Sequence, residues 1–119
     1  MLIKAGKQIT GAKVLILGVT YKENCSDIRN SKVADVYNEL KEFGLEVDVY
    51  DYQADSIEVK DKYSINLIDK IQGKYDGILL AVSHNKFSMI NIESLKKDSN
   101  TVVYDLKGFL PRNLVNSRL

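Results

Sequence analysis

The stretch GAKVLILGVTYKENCSDIRNSKVADVYNELKEFG, residues 11–44, decides the fold class. Residues 12–17 (AKVLIL) form an apolar run between Gly11 and Gly18, the pattern of a strand buried on both faces. From residue 30 to 43, Val33, Val36, Tyr37, Leu40 and Phe43 recur at helical spacing, with Asn30 or Ser31 placed to cap the start and Gly44 the stop. A buried strand running into an amphipathic helix predicts a βαβ crossover and a parallel sheet. Between the two lie Thr20, Tyr21, Lys22, Asp27 and Arg29, on a loop with a single glycine. The carboxyl end of a strand followed by a helix amino terminus is where open α/β sheets bind ligands, and such a terminus attracts anions.

The rest of the chain repeats the pattern. Residues 45–50 (LEVDVY) alternate apolar and polar and predict a second strand ending at Asp51. Residues 53–63 read as a polar link with one helical turn, and 65–71 as a short helix. Residues 75–82 (YDGILLAV) predict the third strand, 84–89 a loop or helical turn, 92–97 a short helix, and 101–104 (TVVY) a fourth strand closing with Asp105; Pro111 marks the C-terminal edge. The expected architecture is a Rossmann-like, doubly wound parallel sheet in three αβα layers. Residues 12–119 form one domain, and residues 1–11 read as the end of a preceding helix in a longer protein.

Composition narrows the function classes. Of 119 residues, 17 are Lys or Arg and 16 Asp or Glu, so no basic excess points to nucleic acid. No apolar run approaches the roughly 20 residues that cross a bilayer. A single cysteine, Cys25, forms no intrachain disulfide, which fits a reduced, cytoplasmic setting. One cysteine and one histidine, His84, also fall short of the usual metal-ligand set.

Several familiar sites fail on residue type. A dinucleotide fingerprint needs three glycines, whereas Gly18 is followed by Val19, Thr20, Tyr21, Lys22 and Glu23; Asp51 then reads as a turn or capping residue rather than a ribose ligand. The same missing glycines exclude a Walker-type phosphate loop. A phospho-receiver domain needs an Asp ending the third strand, where Val82, Ser83 and His84 stand. Cys25 reads as a packing residue rather than a nucleophile. His84 either touches a ligand or holds its own loop, and Phe87 anchors that loop in the core. Asp27 and Arg29 serve a ligand or pair with each other. Lys22, and Lys107 in YDLKG after the fourth strand, converge as a two-lysine clamp for a diphosphate.

GVTYKENCSDIRNS resembles the G-x-T-(F/Y)-K-x-(N/D)-x-x-D-x-R-x-S signature of the UDP-glucose/GDP-mannose dehydrogenase family in its C-terminal domain, and the likeness continues through VDVYD, AVSHNKF and YDLKGFLP. Enzymes of that family oxidise the C6 alcohol of a nucleotide sugar to a carboxylate in two NAD-dependent steps. The resemblance implies that Tyr21 and Lys22 contact the UDP-sugar and that Thr20, Asp27 and Arg29 support the loop. Lys107, where many members have arginine, would meet the diphosphate as a point charge without the bidentate fork. It further implies no catalytic residue in this chain, NAD held by an N-terminal domain outside it, and a homo-oligomeric full-length enzyme. CSDIRNSK and DLKGFLP lean towards the UDP-N-acetylhexosamine 6-dehydrogenase branch in surface polysaccharide synthesis. Two other classes remain open: a non-catalytic interaction or assembly module, and a standalone binder of another diphosphate, such as a CoA-type ligand.

Overall fold

The computed structural model describes residues 11–20, 24–29, 31–98, 101–105 and 117–118. Five parallel strands, β1 (Lys13–Leu17), β2 (Glu46–Tyr50), β3 (Gly77–Leu80), β4 (Val102–Asp105) and β5 (Ser117–Arg118), form one sheet in the order β2-β1-β3-β4-β5. The interior position of β1, paired along both edges, explains its composition. Leu15 and Leu17 face one side and Ile16 the other, all fully buried, and Val14 pairs with both Val47 and Gly77. β5 was not legible among the polar residues after Pro111.

Helix α1 (Val33–Glu42) lays Val33, Ala34, Tyr37 and Leu40 on the Ile16 face. It starts later than the spacing predicted. Lys32 is its N-cap with no side-chain bond, so Ser31 does not cap it, and Asn30 lies outside the described residues. At the other end Gly44 donates to the Lys41 carbonyl and Leu45 to that of Leu40, closing the helix where expected. The opposite face carries a 3-10 turn over Asn85–Met89 and helix α3 (Ile92–Leu95), whose Phe87, Ile92 and Leu95 pack on Leu15, Leu17 and Leu80. The layers are therefore αβα and doubly wound.

Two expectations in the second crossover are corrected. The supposed polar link contains helix α2 (Ser56–Tyr63), started by Asp55, whose carboxylate accepts from the N–H groups of Ile57 and Glu58. Residues 65–71, expected to be helical, are not. Ile65 and Leu67 pack on the α1 face, whereas Ile68 and Ile71 pack on the α3 face. The segment crosses between layers around the outer edge of β2, where Leu67 bridges Val49 and Ile68 donates to the Val49 carbonyl at 2.9 Å. Extended backbone there occupies hydrogen-bonding groups that an open edge strand would leave unpaired.

Tyr63 ties α2 to the loop before α1: its hydroxyl donates to the Ile28 carbonyl and accepts from the Ser31 N–H at 3.0 Å. Tyr63→Phe is expected to cost about 1–2 kcal/mol, because it leaves that buried carbonyl without its donor; urea unfolding of the two proteins measures it. At the amino ends of the strands, fully buried Tyr75 donates its hydroxyl to Asp48 at 2.7 Å. Burial, aided by Asp48, pushes this phenol well above its ordinary range. No helix among the described residues is long and apolar enough to cross a membrane.

Candidate functional site

The carboxyl ends of β1, β2 and β3 meet at a buried polar junction. β1 leaves the sheet through Gly18, whose φ of +100° turns the chain while its N–H donates to the Tyr50 carbonyl at 2.9 Å. That turn aims the next two backbone N–H groups at the carboxylate ending β2. Asp51 Oδ2 accepts from Val19 at 2.7 Å and Thr20 at 3.3 Å, while Oδ1 accepts from Gln53 at 2.8 Å and Ala54 at 3.2 Å. Asp51 thus caps its own loop and ties it to the loop after β1, as the turn-or-cap expectation held. Burial alone would push its carboxyl up. Hydrogen bonds from His84 and from the Val19 and Gln53 N–H groups outweigh that and hold it below the ordinary value.

His84 arrives from the end of β3 and is completely buried. Its Nδ1 accepts the Asn24 N–H at 2.8 Å, so the ring proton sits on Nε2. Nε2 lies 3.0 Å from Asp51 Oδ2 and 3.1 Å from Thr20 Oγ1. Tyr52 and Phe87 flank the imidazole, with ring centroids 5.4 and 5.3 Å away. Phe87 is the core anchor expected of it, only 1% exposed. Both His84 nitrogens are committed, so the ring has no free nitrogen with which to activate Cys25; the Cys25 Sγ accepts the Asp27 N–H at 3.4 Å.

Of the sequence-chosen residues, Thr20 is in this junction. Tyr21, Lys22 and Lys107 lie outside the described residues. Asp27 and Arg29 form a two-pronged ion pair, with Arg29 Nε 3.0 Å from Oδ1 and Nη2 2.8 Å from Oδ2. Asp27 also accepts the Arg29 N–H at 2.9 Å, which curls the loop on itself, and the pairing raises the Arg29 pKa. Ser31 Oγ is buried with no hydrogen-bond partner among the described residues, just before α1. An open crevice of about 600 Å³ runs between this loop and the start of α2, lined by Asp27, Arg29, Gln53, Asp55 and Glu58 among others. Its size suits a small molecule. Among its described lining residues, three carboxylates and one paired guanidinium give the crevice an acidic character.

Sequence reading missed Asn24 and Asn85. Asn24, at φ +56°, donates through Nδ2 to Asn85 Oδ1 at 3.2 Å and accepts the Asn85 N–H at 2.8 Å. The available signal was asparagine itself, the side chain that best tolerates a left-handed backbone.

NAD, implied by the resemblance, does not fit these residues. The turn after Gly18 lacks the further glycines of a pyrophosphate cradle. The carboxylate at the end of β2, which would hold a ribose, has both oxygens occupied by five protein donors.

A UDP-N-acetyl-D-glucosamine 6-dehydrogenase of Salmonella typhi is 40% identical over 122 residues, covering 99% of this chain and 28% of that protein. The same enzyme of Pseudomonas aeruginosa is 38% identical, covering 99% and 29%. Protein CapL of Staphylococcus aureus is 43% identical, covering 97% and 28%. The chain therefore spans less than a third of the length of these relatives. A UDP-D-ManNAc dehydrogenase structure from Pyrococcus horikoshii superposes with a TM-score of 0.73 at 23% identity, over 98% of this chain and 27% of the other. An NDP-N-acetyl-D-galactosaminuronic acid dehydrogenase from Methanosarcina mazei gives 0.74 at 21%, over 97% and 23%. Both likenesses concern the fold. The family profile matched by residues 15–112 is the UDP binding domain of the UDP-glucose/GDP-mannose dehydrogenase family, and the chain belongs to that family.

Proposed function

We propose that this chain is the UDP-sugar-binding unit of an NAD-dependent dehydrogenase that oxidises a UDP-N-acetylhexosamine, or a UDP-hexose, to its uronic acid for surface polysaccharide synthesis in the cytoplasm. The observation that carries this reading is the match to a UDP binding domain across the loop after β1. Lys22 and Lys107 supply positive charge for the diphosphate, and Tyr21 contacts the nucleotide sugar beside Lys22. Thr20, Asp27 and Arg29 hold the loop. The NAD that accepts hydride binds a domain outside this chain, and the whole enzyme works as a homo-oligomer. Within residues 1–119 the chemistry is binding and orientation of the nucleotide sugar.

Charge-assisted hydrogen bonds contribute roughly 1.5–3 kcal/mol each, so Lys22→Ala is expected to weaken UDP binding about tenfold or more. NMR titration of UDP into the 119-residue chain tests both points. Shifts clustered at residues 20–29 and near Lys107, reduced in Lys22→Ala, support the reading. No shifts at saturating UDP would favour an assembly module instead.

A further inference from the structure

The two faces of the sheet are covered unequally. On β3 and β4 the residues of the α3 face, Ile78, Leu80 and Val103, are 2%, 0% and 0% exposed. Leu79 and Tyr104, in register with Ile16 on the α1 face, stay only half-buried. Beside them an apolar groove runs between Val36 and Leu40 of α1 and the strand residues Gly77, Leu79, Val102 and Tyr104. It holds about 60 Å³, far below the roughly 300 Å³ or more of a small-molecule pocket, so it suits a packed side-chain surface rather than a ligand. Phe43, three residues beyond Leu40 and 63% exposed, prolongs the same stripe of α1.

The strand order indicates which segment is left to fill the groove. α1 serves the step from β1 to β2 and α3 the opposite step from β3 to β4, so right-handed crossovers set the two on opposite faces. The link from β2 to β3 leaves the α1 side around the outer edge of β2. The step from β4 to β5 runs the same way as that from β3 to β4, and the same rule assigns its connection to the α3 face. That leaves the chain ahead of β1. It enters beside the last turn of α1, where the Gly11 N–H donates to the Gly44 carbonyl at 3.0 Å, next to Phe43. Gly11 has φ +84°, a state common just past the end of a helix. The sequence MLIKAGKQIT, residues 1–10, spaces Leu2, Ala5 and Ile9 along one helical stripe, with Lys4, Lys7 and Gln8 on the other side. Ten helical residues span about 15 Å, against about 13 Å for a four-residue strand.

We propose that residues 1–10 form an amphipathic helix seated in this groove, with Leu2, Ala5 and Ile9 against Leu40, Leu79 and Val102 and the lysines in water. The groove is then the surface on which the domain holds the chain that leads into it, and the helix completes the cover that a parallel sheet needs on both faces.

The test is NMR on the 119-residue chain, with a sample mixed from differently labelled copies to separate contacts within one molecule from contacts between two. Expected are helical carbon shifts over residues 2–9 and intramolecular NOEs from the Leu2 and Ile9 methyls to those of Leu79 and Val102. Ile9→Asp should abolish the Leu2 NOEs as well and move the Leu79 and Val102 methyl signals, while the β1 and β3 amides keep their positions. Lys7→Asp should change none of these. NOEs found only between molecules would overturn the proposal and give the groove to a second copy. An absence of NOEs to the groove, or unmoved Leu79 and Val102 signals in Ile9→Asp, would overturn it outright.

Discussion

Asp51→Asn is expected to destabilise the protein by about 3–5 kcal/mol, although the two side chains have the same shape. The carboxylate serves donors on both oxygens: Val19, Thr20 and His84 on Oδ2, Gln53 and Ala54 on Oδ1. An amide turned either way sets its own N–H₂ against one of those groups. His84 offers no escape, because moving its proton to Nδ1 would set that proton against the Asn24 N–H. At about 4 °C per kcal/mol for a domain near this size, the melting temperature should fall by about 12–20 °C. The loss also has a pH signature. Asp51 is held below its ordinary value of 3.8, so its contribution is present above that pH and fades as the pH falls through its lower, folded value. Urea unfolding between pH 7 and pH 3 should therefore show the gap between parent and Asp51→Asn narrowing only at the acid end. A constant gap would mean that the carboxylate's charge plays no part.

Gly18→Ala is expected to cost about 4 kcal/mol or more, by two separate effects. At φ +100° an L-residue is strained, at roughly 1–3 kcal/mol. The added Cβ would also lie 2.5 Å from Val82 Cβ and 2.9 Å from the Val82 backbone nitrogen, and Val82, buried just past the end of β3 with its N–H bonded to the Leu17 carbonyl, has little room to give. Gly11→Ala separates the two effects. Gly11 has φ +84° but nothing within 4 Å of a new Cβ, so its substitution should show the strain alone. Denaturant midpoints for the pair would test this. Similar losses at both positions would refute the contact at Val82.

What the sequence disclosed follows from how locally each feature is encoded. β1, α1 and β2 were readable because burial on two faces, or one, leaves a period in the residues themselves. α2 was hidden because Val59 is its one buried residue, so no apolar stripe forms, although Asp55 with Glu58 three residues on is a start signal. Residues 65–71 misled for the opposite reason. Their apolar spacing of three looks helical, yet it serves two different faces of the sheet. In the candidate site, Thr20, Asp27 and Arg29 stood in one short signature. The junction of Thr20, Asp51 and His84 joins positions up to 64 residues apart, and no local pattern records such a meeting.

The placement of β1 between β2 and β3 in an all-parallel sheet also governs how the chain acquires its shape. β1 can dock on β2 after one short crossover, but its other edge waits for β3, a closure that brings Lys13 to Asp76 across 63 positions. Such distant pairings slow folding, because the chain gives up its freedom before the contact repays it. Until Gly77–Leu80 arrives, an early β2-β1 unit shows a bare strand edge flanked by Leu15 and Leu17, a template for pairing with another copy. Recovery from denaturant should thus depend on protein concentration more steeply than the stability of the finished sheet would indicate.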